Sequence, residues 1–172
     1  ATGTIVTFTV DRLAYSPSPP VVFAVVDFDG GGRLPVELTD VDVDEIRIGA
    51  MTTENDVLRS PLLAQKVPLL VEGAGWIADP QVRYKGTIGG DISHGDPAND
   101  QPALMGALAA SFVLTGPKGE RGVKADGYFL GLYSTQLADN EILTQIRIPV
   151  PPAGSGWSYC KLKRKTGDFA TA

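Results

Sequence analysis

Residues 3–10, GTIVTFTV, and 21–28, VVFAVVDF, are dense in β-branched and aromatic side chains, and LAYSPSPP between them interrupts any regular structure. Both runs predict strands. DGGG at 29–32 marks a turn, and RLPVELTDV beyond it alternates polar and apolar positions as a third strand does, with Pro35 favouring a sheet edge. The opening of the chain therefore reads as a β-meander.

From Thr52 the period changes. In TTENDVLRSPLLAQKVPLLVEGAGWIADP, Thr53 suits a helix cap, Asp56 the third helical position, and Val57, Leu58, Leu62 and Leu63 mark one face. Pro61 and Pro68 divide the stretch, which predicts two short helices. QPALMGALAA predicts another helix and FVLTGPKGERGVKA a hairpin turning at GPKG. EILTQIRIPV and WSYCKLKRK predict two further strands, with PVPPAGSG (149–156) as the loop between them. The fold class is α+β: a small β-meander, then helices from the 53–78 and 100–110 regions with an antiparallel sheet. The join falls in DEIRIGAMTT (44–53), dividing the chain into units of 1–48 and 49–172. Three or four strands alone bury too little surface to stand as a robust domain.

Composition narrows the partners. With 43% hydrophobic and 20% charged residues among 172, the chain has the make-up of a soluble globular protein. A net charge of −5 argues against nucleic acid and against an anionic membrane surface. No apolar run approaches the ~18 residues of a membrane span, and ATGTIVTFTV lacks the charged head and long apolar core of a signal peptide. Cys160 is the single cysteine, so the chain holds no internal disulfide, cysteine-rich zinc site or iron–sulfur cluster by itself. A reducing, cytoplasmic setting is expected, with no metal site and no catalytic residue.

The chemistry concentrates in KGTIGGDISHGDPAND, residues 85–100. Gly86, Gly89 and Gly90 allow the backbone close to a ligand, and successive amides in such a turn can face an anion. Asp96 and Asp100 suit ribose, ribityl or amide hydrogens as acceptors, and Asn99 or Asp100 can cap the following helix. Amides for a pyrophosphate and carboxylates for hydroxyls suit a dinucleotide. Neither the Rossmann spacing nor a P-loop is present. On spacing alone, a plain Gly/Asp-rich surface turn remains the alternative. KLKRK at 161–165 reads as a solvated basic edge or as a cation source. His94 is given no role, Cys160 is read as a packed strand residue, and Trp76 and Trp157 as core or interface.

IRIGAMTTENDVLRSPLL, IADPQVRYKGTIGGDISHGDPANDQPALMGALAASFVLTG, NEILTQIRIPVPP and KLKRKTGDFATA together resemble the FAD-binding medium subunit of molybdenum hydroxylases, in its carbon-monoxide-dehydrogenase-like branch. The likeness covers residues 46–172. It implies that Thr87, Gly89, Gly90 and Asp91 form a loop along the FAD diphosphate, and that Asp100 lies near cofactor hydroxyls. It places Lys161 near the flavin ring and makes Asp168 a family acid in the final strand region. Many relatives have Asn where this chain has Asp91, and a carboxylate there is unfavourable beside a diphosphate unless it faces a hydroxyl. A lysine near the ring can stabilise charge on a reduced flavin.

Residues 3–49 resemble a different family, the OB-fold domains found beside thiolases and acyl-CoA enzymes, through GTIVTFTVDRL, SPSPP and VVFAVVDFDGGGRLPVELTDVDVDEIRIG. These strands stand where medium subunits carry a first glycine-rich loop of AGGxSLxP type, which implies a chimera with weakened FAD binding. The resemblance implies an electron-transfer module that receives electrons from iron–sulfur clusters and passes them to an external acceptor. Its partners would be a molybdopterin-binding large subunit and an iron–sulfur small subunit. The alternatives are a non-catalytic OB-type module associated with acyl-CoA enzymes, or an inert chimera.

Overall fold

The computed structural model describes residues 3–11, 21–28, 33–38 and 45–171, with side chains described from residue 45 onward. β1 (Gly3–Asp11), β2 (Val21–Phe28) and β3 (Arg33–Leu38) form an antiparallel sheet in the order β1-β2-β3. Pro35 pairs with Val25 on the edge strand, where a residue without an N–H does least harm.

β4 (Glu45–Gly49) begins the second sheet, falling inside the stretch read from sequence as a join. Its alternating Ile46 and Ile48 are buried, and it pairs with β9 (Ile142–Pro149). β5 (Ser111–Gly116) and β6 (Gly119–Lys124) complete the antiparallel order β4-β9-β5-β6. The β5–β6 hairpin turns at Pro117 and Lys118, as GPKG predicts.

Between β4 and β5 lie six helices: α1 (Glu54–Arg59), α2 (Pro61–Lys66), α3 (Pro68–Ala74), α4 (Pro80–Arg83), α5 (Ile88–His94) and α6 (Asp100–Ala107). Three short helices, not two, occupy the 53–78 region, because each proline opens a new first turn where its missing N–H is not needed. Thr53 caps α1, its hydroxyl accepting from the Asp56 amide at 3.1 Å. Leu70, Ile88, Ile92, Leu104, Phe112 and Ile146 are fully buried and join the helices to the sheet.

After β9 the chain does not form the strand expected of WSYCKLKRK. It carries no regular secondary structure and has no ladder partner among the described residues. The period of two survives: Tyr159, Lys161 and Lys163 are partly covered, whereas Cys160, Leu162 and Arg164 are exposed. Cys160 is thus not a packed strand residue. Side-chain contacts to the helices take the place of a ladder. Trp76 and Trp157 lie at the surface; the Lys163 ammonium sits 4.1 Å over the Trp76 ring and the Trp157 indole donates to Glu72 at 2.9 Å.

Candidate functional site

TIGGD forms the start of α5 rather than an open loop. Residues 50–54 and 86–89 run beside one another through a Thr53–Thr87 bridge, with the Glu54 amide donating to the Gly86 carbonyl at 3.0 Å. Thr87 is the N-cap, accepting from the Gly90 amide at 3.1 Å. The remaining first-turn amides are also engaged. Ile88 donates to the Thr52 carbonyl at 3.0 Å, Gly89 to the Ala50 carbonyl at 2.9 Å and Asp91 to the Thr87 carbonyl at 3.0 Å.

The two glycines serve different ends. Gly89 is buried, and a Cβ there would lie 2.7 Å from the Ala50 carbonyl oxygen, so backbone contact excludes a side chain. Gly90 is exposed, and a Cβ there would meet only the Thr87 hydroxyl. Gly95 ends α5 in the left-handed region at φ 66°, as glycine readily does.

α6 starts against α5. Asn99 occupies its N-cap position, yet its amide turns away and donates to Asp91 Oδ1. Asp91 is pushed up to about 6 by burial, opposed by the Asn99 bond, with Asp100 adding to the rise. Asp100 is buried with both oxygens occupied: Tyr159 donates to Oδ1, and Lys161 Nζ lies 2.7 Å from Oδ2. The Lys161 side chain is only 2% exposed. Burial, then the Asp100 bond, raises the Tyr159 pKa well above its ordinary value.

The sequence-predicted residues divide into groups. Thr87, Gly89, Gly90 and Asp91 share the first turn of α5, linked through Asn99 to Asp100 and Lys161. Asp96 is near this group but satisfied locally, accepting from the Ala98 amide at 2.9 Å and from the Tyr133 hydroxyl at 3.4 Å. Asp168 stays within the C-terminal segment, accepting from the Phe169 amide at 3.2 Å and facing Arg164 Nε at 3.5 Å.

Four polar side chains at the site escaped the sequence reading. Glu54 directly follows a cap, where an acid normally faces solvent and favours the helix dipole. Here it is buried, with Gln101 Nε2 donating to its Oε2 at 2.9 Å. Asn99 looked like a simple cap. Tyr159 could have been found, since it precedes Lys161 by two residues and shares its side of an extended segment.

The fit to a flavin dinucleotide is mixed. The Thr87 oxygen accepts from an amide while its own proton remains available, and Gly90 offers bare backbone beside it. The first-turn amides, however, are already bonded within the chain. This turn suits close approach and hydroxyl donation more than an amide cradle. No three-residue metal-ligating group is present among the described residues.

The family described as FAD binding domain in molybdopterin dehydrogenase matches residues 36–151. The C-terminal OB-fold domain of ChsH2 matches residues 1–51, so the two overlap across 36–51. The carbon monoxide dehydrogenase medium chain of Hydrogenophaga pseudoflava is 61% identical over 125 residues, covering 73% of this chain and 44% of that protein. That of Afipia carboxidovorans is 55% identical over 128 residues, covering 74% and 44%. Among solved structures, a carbon monoxide dehydrogenase from Hydrogenophaga pseudoflava lacking the Mo-pyranopterin moiety superposes with a TM-score of 0.75. It is 59% identical and covers 76% of this chain and 46% of its own. The chain thus spans less than half the length of these relatives.

Proposed function

Because the chain belongs to the family of FAD-binding domains in molybdopterin dehydrogenases, we propose that it serves as the FAD-binding electron-transfer part of a molybdenum hydroxylase medium subunit. The observation that carries this reading is the Asn99–Asp91 hydrogen bond, which joins the TIGGD turn to the DPAND helix start and so gathers the candidate cofactor residues. Thr87 and Gly90 are proposed to lie along the diphosphate, with Gly89 allowing α5 to dock on Ala50. Asp91, Asp96 and Asp100 are proposed on the sugar and ribityl side, Lys161 near the ring, and Asp168 at the outer end.

FAD supplies the capacity to take electrons from one-electron donors and hand them on in pairs. The protein's part is to bind and orient it. Lys161 donates to Asp100 at 2.7 Å and to the Trp76 carbonyl at 3.4 Å, so its charge is fixed in place rather than swinging freely in solvent. An iron–sulfur small subunit and a molybdopterin-binding large subunit are the proposed partners, and the cytoplasm the proposed setting. We read the chain as units of 1–48 and 49–172, with β4 straddling the junction. Among the described residues no helix is long and apolar enough to cross a membrane.

The test is a titration of the chain with FAD, followed by flavin fluorescence. Saturable binding weaker than micromolar is expected, since each charge-assisted bond lost contributes about 1.5–3 kcal/mol. Absence of saturable binding refutes the proposal, and micromolar or tighter binding refutes the weakening. The match of residues 1–51 to an OB-fold family favours a second reading, a module docking on an acyl-CoA enzyme. Capture by a thiolase-type partner that survives deletion of residues 50–172 supports that reading. A colourless protein taking up neither FAD nor acyl-CoA points to an inert chimera.

A further inference from the structure

Among the described residues, the α1–α6 contact contains two oxygens with no donor. Gln101 Nε2 donates to Glu54 Oε2 at 2.9 Å, while Glu54 Oε1 and Gln101 Oε1 are both buried without a hydrogen-bond partner among those residues. The two residues are 2% and 0% exposed. An ionised glutamate only accepts, so it leaves both atoms unsatisfied in a site closed to solvent. One proton removes both deficits. Placed on Oε1 it converts an orphan acceptor into a donor, and the carboxamide already bonded to this carboxyl carries the other orphan, an acceptor that needs a donor.

We infer that Glu54 is a carboxylic acid in the folded protein, paired reciprocally with the Gln101 carboxamide, and that this pair is a proton-binding site coupled to the charge at the junction of α5 and α6. The charged and titratable groups around it point the same way. Asp91 faces it from α5 and Asp100 from α6; Tyr159 and Lys161, from the C-terminal segment, are committed to Asp100, and Asn99 to Asp91. Burial, then repulsion from Asp91, pushes the Glu54 pKa up to about 8, against the pull of the Gln101 bond.

Coupling works in both directions, as binding linkage requires. Negative charge added near Asp91 or Asp100 tightens the hold on the Glu54 proton, and charge removed there loosens it. The site therefore takes up or releases protons in response to events at the neighbouring polar cluster, without itself touching a ligand.

The experiment is a pH titration by carbon NMR of the full chain labelled at the glutamate side-chain carboxyls, six in all. One resonance should remain in the protonated position through neutral pH, titrate near 8 and vanish in Glu54→Gln. Asp91→Asn should move that midpoint down by a measurable fraction of a pH unit. All six titrating in the ordinary carboxylate range overturns the proton site; a midpoint indifferent to Asp91→Asn overturns the coupling. Should Glu54→Gln fail to fold, Gln101→Met provides the assignment, because losing the amide partner must shift the same resonance.

Discussion

Replacing Lys161 by Met tests whether the C-terminal segment is fastened by charge. The Nζ–Oδ2 separation is 2.7 Å, and the two side chains are 2% and 5% exposed. At an effective dielectric of about 20 the gross attraction is about 6 kcal/mol. Desolvating both ions offsets most of it, so the intact pair contributes little net stability. Removing one partner is different: Asp100 remains buried, its only other side-chain donor among the described residues being Tyr159. Lys161→Met should therefore cost about 3–5 kcal/mol, read as a lower urea midpoint at unchanged slope. The double variant Asp100→Asn/Lys161→Met should recover at least half of that, since no unpaired charge is left. A single variant within about 1 kcal/mol of the parent refutes the reasoning, as does a double variant no better than the single.

Stability should fall as pH rises from acid to alkaline. The folded pKa values of Asp91, about 6, and Glu54, about 8, lie above their unfolded values, so the folded chain binds more protons in between. The contribution is fully present below about pH 4 and is lost through 6 for Asp91 and 8 for Glu54, the latter amounting to about 5 kcal/mol at most. Urea midpoints across pH check this, and Glu54→Gln, which supplies its own donor to Gln101, should flatten the upper part. Gly89→Ala drives a Cβ against the Ala50 carbonyl and should cost about 1–3 kcal/mol in thermal unfolding. Gly90→Ala should stay within about 1 kcal/mol yet weaken flavin uptake; equal effects of the two on stability contradict the assigned roles. Tyr159→Phe removes a donor to a buried carboxylate and should cost about 1.5–3 kcal/mol, measurable in the same melts.

Much of the scaffold was legible because its signals are local. Thr53 caps α1, GPKG turns the β5–β6 hairpin, and the alternation in β3 puts Pro35 on an edge, all from residues within a few positions of one another. The helical state of TIGGD was hidden, since its glycines argue for a loop. Its first turn is secured by Thr52 and Ala50 carbonyls, more than thirty residues upstream. Likewise WSYCKLKRK shows a correct period of two, but among the described residues no strand pairs with it to make it part of a ladder.

The sequence by itself determined the family, the candidate turn and the residue types at the site, because motif spacing and periodicity are properties of neighbours along the chain. Tertiary structure alone decided their states. It paired Lys161 with Asp100 across 61 positions, turned Asn99 from capping to binding Asp91, and buried Glu54 against Gln101. Charge, protonation and exposure depend on which groups share a dry space, and only folding brings those groups together.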